Sequence, residues 1–214
     1  MSVTAFMRGS GAVPFACALL ASAVLVAAPQ QKPAARPPAK RVSTTFTCAA
    51  DLGVGVSSRR RFCDVIVAWV AADSVSIVIP PHTGASTLAF DLHNRFSVPA
   101  APRDSATAFV RQVAVVAVIR QTGEVLGRGA VQRDYRSPKD LFDRIAGTGR
   151  GAAPKGDAPG APMAVQVAIP AGVNAIGIVG TRLEEWRASG RGAFDSPGRP
   201  IAIVSNVRVE YTPR

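Results

Sequence analysis

Both histidines of the chain fall in one stretch, Pro80-Pro81-His82-Thr83-Gly84-Ala85-Ser86-Thr87-Leu88-Ala89-Phe90-Asp91-Leu92-His93-Asn94-Arg95-Phe96. Imidazole and carboxylate are the ligands that zinc and other divalent transition metals favour. His82, Asp91 and His93 therefore form a candidate metal set, and a small metal-dependent hydrolase is the activity that would go with it. A second reading makes His82, Asp91, His93, Asn94 and Arg95 a hydrogen-bonding patch for a sugar or peptide. A third makes Asp91 a structural partner of Arg95 or His93 on a solvated face.

Other signatures of chemistry are missing. The sequence holds no Gly-x-Ser-x-Gly elbow, and Gly147-Thr148-Gly149-Arg150-Gly151 lacks the Lys-Ser/Thr ending of a phosphate loop. Beyond the metal set, no cofactor is implied, and a non-catalytic role is favoured. Aromatic residues make up only 6%, which counts against the stacking platforms of typical sugar binders. Trp69 alternates with Val65 and Val67 and reads as core. Trp186 reads as a plug in a polar loop, and Arg59-Arg60-Arg61 as a solvated turn.

Strands must position these residues, because the chain keeps returning to short β-branched runs bounded by Gly, Pro, Asn or Asp. About nine are expected, over 42–49, 62–70, 75–79, 87–96, 109–120, 125–132, 165–169, 173–179 and 201–211. Alternation along the fourth puts Leu88, Phe90 and Leu92 on a core face, with Thr87, Asp91 and His93 opposite. Gln121-Thr122-Gly123-Glu124 turns a hairpin. Ser137-Pro138-Lys139-Asp140 carries a capping-box variant with proline at the first helical position, so one short helix is expected there, ending at Gly147. Residues 148–162 and 181–200 read as long connections. The implied fold is all-β: one two-sheet sandwich over 42–214, of jelly-roll or Greek-key type.

The termini and cysteines bear on location. Arg8, the apolar run Ala12–Ala28 and its small-residue end read as a secretory signal over 1–28, with an uncleaved anchor as the alternative and the only expected membrane contact. A Pro-rich basic linker follows over 29–41. Outside the signal, two cysteines remain, Cys48 and Cys63. An even count in an exported chain favours a disulfide, here stapling the first two strands across a turn at Gly53–Ser58. The protein is thus expected in the periplasm, in the cell envelope or outside the cell.

The net charge of +11 is concentrated early: Lys32, Arg36, Lys40, Arg41, Arg59, Arg60 and Arg61 meet only Asp51. From Phe62 onward 17 basic residues face 13 acidic ones, a difference of +4. That near balance speaks against nucleic acid as partner. Carbohydrate or another envelope protein is the expected partner. The functional reading is an exported binding or envelope-associated module; the alternatives are the hydrolase above and a structural or assembly subunit that pairs through an edge strand.

Overall fold

A computed structural model describes residues 38–98, 109–147 and 153–214. The signal at 1–28, residues 29–37 of the linker and residues 148–152 of the first long connection lie outside these residues. The described chain forms thirteen strands and no long helix. No helix among the described residues is long and apolar enough to cross a membrane.

All ladders between named strands are antiparallel, in two sheets. The first runs β10 (Met163–Ile169), β6 (His82–Ser97), β13 (Pro200–Pro213), β4 (Arg61–Ile66), β3 (Ala50–Val54). In it β1 (Lys40–Ser43) also pairs with β13, and β9 (Asp157–Pro159) with β6. The second runs β2 (Phe46–Thr47), β5 (Val75–Val78), β11 (Ala175–Arg187), β7 (Val110–Arg120), β8 (Val125–Tyr135), with β12 (Gly190–Phe194) on β11. The two-sheet sandwich expected from the β-branched runs is what forms.

The main core lies between the sheets. Leu88, Phe90 and Leu92 of β6 meet Val116 and Val118 of β7 and Ile176 and Ile178 of β11, each at most 1% exposed. The expected inward face of β6 is therefore the observed one. On one flank β8 lies against β10, although the two do not pair. A Cβ on Gly127 would come within 2.7 Å of Val167, and one on Gly129 within 2.9 Å of Val165. Glycine at these two positions lets the sandwich close on that side.

Two smaller cores cover the outer faces. Leu52, Phe62, Ile145 and Ile203 form one on the first sheet, with Phe142 packed against it. Ala68, Ala117, Ile119 and Val179 form the other on the second sheet.

Several expectations are corrected. The first strand is split: β1 joins the first sheet and β2 the second, and β3 occupies part of the supposed turn. The turn itself covers Val56–Ser58. The linker does not remain a tether to its end, because Lys40 and Arg41 belong to β1. Asp157–Pro159 and Gly190–Phe194 are strands rather than loop, and Thr181–Arg187 extends β11; with β1, β2 and β3 in place of one expected strand, nine strands become thirteen.

No helix follows Ser137. Its capping box forms, but around a single 3-10 turn at Pro138–Asp140, after which Leu141 is extended (φ −79°, ψ 140°). Leu141, Phe142 and Ile145 find partners as an extended strap instead. The Phe142 amide donates to the Pro159 carbonyl and the Ala146 amide to the Val54 carbonyl. Trp69 is 65% exposed, not core, because the chain leaves β4 at Ile66 before the alternation reaches it. Trp186 lies on β11 opposite Arg191, whose guanidinium sits 4.9 Å above its ring.

Cys48 and Cys63 form the expected disulfide, with α-carbons 5.5 Å apart. It ties the crossing between the sheets, from β2 to β3, onto β4.

Candidate functional site

The outward residues of β6 form three polar stations on the face that carries the strap. At the first, Asp91 Oδ2 accepts from Arg60 Nη1 at 2.7 Å and from Asn206 Nδ2 at 2.9 Å. Asn206 has φ +54°, at an irregularity where β13 changes register against β6; asparagine tolerates that region better than most residues. Arg60 also lies 5.3 Å from the Phe142 ring centre.

At the second station His93 is wholly buried, between Phe62 and Phe142 with ring centres 5.6 and 5.3 Å away. Its Nδ1 lies 2.8 Å from the Gly160 carbonyl, which can only accept, so Nδ1 carries the proton. Nε2, 2.9 Å from Ser205 Oγ, then accepts from that hydroxyl. Burial pushes the imidazole below its ordinary pKa, and the nearby Arg60 adds to this; the Gly160 contact and Asp91 pull the other way. His93 is a neutral imidazole held in one tautomer.

At the third station Arg95 donates from Nε to Asp64 and from Nη2 to Asp157, each at 2.9 Å. Burial raises the Asp64 carboxyl above its ordinary value, against the pull of Arg95. These contacts join β6 to β4 and to β9. Asp91 thus pairs with Arg60, not with Arg95 or His93, and this part of the face is covered, not solvated. What covers it comes from residues far along the chain: the turn before β4 and the strap. Asp143 anchors that turn, accepting from the amides of Ser57 at 3.0 Å and Ser58 at 2.7 Å. A Cβ on Gly55 would collide with Asp143, Ser58 and Phe62, so glycine is required there.

The remaining candidates lie elsewhere. His82 begins β6 rather than sitting on a turn. With about 3.3 Å of rise per residue, the strand keeps it on the order of 30 Å from His93, so His82, Asp91 and His93 do not converge on one ion. Among the described residues no group of three or more His, Cys, Asp or Glu side chains could hold a metal. Asn94 points into the sandwich, donating to the Val131 carbonyl at 3.3 Å. Nearby, Gln112 Nε2 donates to the buried Glu185 at 2.6 Å.

Ser205 was not singled out by the sequence, yet with His93 it reproduces the nucleophile–base contact of a hydrolase. Both residues are 0% exposed, and His93 Nδ1 is oriented by a carbonyl rather than a carboxylate. A hydroxyl that no substrate reaches does not act as a nucleophile; this pair locks β13, β6 and the strap together. Alternation along 201–211 could have placed Ser205 outward beside His93. Nothing local marked Arg60 or Asn206 as partners of Asp91.

The strap covers only half of this face. On the open half, cross-strand register aligns Gln166, Ala89, Arg208 and Ser43 in one row, and Ala168, Thr87, Glu210 and Arg41 in the next. Arg41, Thr87, Ala89, Gln166, Arg208 and Glu210 line a shallow groove there.

No family model and no curated protein matches the chain. Among solved structures it is similar to the infectious bursal disease virus VP2 subviral particle, at 13% identity and a TM-score of 0.23, over 84% of this chain and 33% of that one. The chain thus spans about a third of that protein, and a likeness of this degree supports no inference about role.

Proposed function

We propose that the protein is an exported, non-catalytic β-sandwich that serves as a binding module of the cell envelope. One observation carries this reading: the outer face of the first sheet is divided in two. In its closed half, Asp91, His93, Arg95 and Ser205 are engaged in holding strands, turn and strap together. Its open half presents a polar groove to solvent.

Three further features support it. The Cys48–Cys63 disulfide suits an oxidising compartment. The n-region and apolar run of residues 1–28 suit passage across a membrane. The long edge strands β8 and β10 lie against each other, which favours recognition through a face over assembly by strand addition.

The test is to express the full chain, separate cytosol from envelope and exterior, and follow cysteine oxidation by alkylation. The reading expects processed, oxidised protein outside the cytosol and retained by washed envelope material. Reduced, unprocessed cytosolic protein would overturn export. Oxidised protein that envelope material does not retain would overturn the binding role.

A further inference from the structure

We propose that the open half of the first sheet's outer face is a binding site for a carboxylate-bearing saccharide, a uronic acid unit of an acidic polysaccharide. The proposal rests on the binding-module reading and names the ligand class of that module.

The groove's charges leave one cation uncompensated. Arg41 donates to Glu210 Oε2 from Nε at 3.1 Å and from Nη2 at 2.6 Å, so that carboxylate is engaged. Asp91, two residues beyond Ala89 on β6, is likewise held by Arg60 and Asn206. Arg208 bonds to neither, and its Nε is buried without any partner among the described residues. Its Nη1 and Nη2 also have no partner among the described residues but are open to solvent, so they can meet a planar carboxylate with two parallel donors.

The rest of the groove suits the hydroxyls of a sugar. The Thr87 hydroxyl and the Gln166 amide line it, and each can both donate and accept. Ala89 gives a low floor between Gln166 and Arg208, and Ala168 flanks Thr87 in the adjacent row. Small residues let a ring lie flat against the sheet. The groove has no aromatic lining, so binding must come from hydrogen bonds and the charge pair rather than from stacking. From β10 to β1 the rows cross four strands, about 14 Å at the usual strand spacing.

Titration calorimetry of the processed, oxidised protein with trigalacturonate and with a neutral galactose trisaccharide tests this. The acidic trisaccharide should bind and the neutral one should not. Arg208→Gln should weaken binding about tenfold or more, as expected for a lost charge-assisted pair. Gln166→Ala, at an exposed position, should weaken it less and leave the thermal melt unchanged. Arg128→Gln, an exposed cation on β8, should leave binding unchanged and so controls for general charge attraction. Equal binding of the neutral sugar, equal loss in the Arg128 and Arg208 variants, or displacement by inorganic phosphate at matching concentration would overturn the proposal. Envelope retention separates the two levels: if wild type and Arg208→Gln are retained alike, this site falls and the module stands. If neither is retained, the module reading itself falls.

Discussion

Replacing His93 by alanine tests the account of the closed half-face most directly. The substitution leaves two buried groups without partners, the Ser205 hydroxyl and the Gly160 carbonyl. Each such orphan costs about 1–3 kcal/mol. The edge contact with Phe62 and the tilted contact with Phe142 are lost as well, at about 0.5–1.5 kcal/mol each. Even the low ends imply a loss of at least about 3 kcal/mol, a large part of a typical domain's stability. Urea unfolding at neutral pH measures it directly. His93→Phe keeps the ring contacts and should recover part of the loss, and adding Ser205→Ala should recover more by removing one orphan. A His93→Ala protein within about 1 kcal/mol of wild type would refute the reasoning.

The same residue sets a pH dependence. Its folded pKa lies below the unfolded value of 6.5, so below that value the unfolded chain takes up a proton that the folded protein resists. Wild type should lose stability as pH falls beneath about 6.5 towards the lower folded value, and His93→Phe should lose less over that window; parallel losses would count against the assignment. Reducing Cys48–Cys63, which closes a loop of 15 residues, should cost about 3 kcal/mol, read as a lower urea midpoint. Ile145→Ala empties the core beneath the strap and should cost about 2–5 kcal/mol, with faster amide exchange at Phe142 and Ala146 than elsewhere. Gly129→Ala sets a methyl against Val165 and should cost about 1–3 kcal/mol in thermal or urea unfolding; no loss would mean that the β8–β10 flank is loosely packed.

What could be read in advance was whatever a strand's own alternation encodes. Leu88, Phe90 and Leu92 share the core face because side-chain period follows from backbone geometry alone. The same rule put Asp91 and His93 together on the reverse face. It could not say that this face is buried, since Arg60 and the strap residues Phe142 and Ile145 arrive from distant parts of the chain. The capping residues Ser137 and Asp140 show the limit of local signals. Their hydrogen bonds form as the sequence implies, yet the apolar side chains that follow gain more from an extended path across the sheet than from a helix. Trp69 shows the reverse error: its alternation with Val67 continues on paper past the point where β4 ends. The pairings of Arg60 and Asn206 with Asp91 were out of reach, because they depend on a turn and a register irregularity that no spacing announces.

β13 is the central member of the first sheet, flanked on one side by β6 and on the other by β1 and β4. Strands from the beginning and the middle of the described chain thus close on a neighbour that follows them all in sequence. Without Ile201–Tyr211 that sheet has a gap at its centre, so its closure rests on contacts of long sequence separation, which are slow to form. The second sheet needs none of these residues, and its β7–β8 hairpin can form locally while the first sheet still lacks its centre.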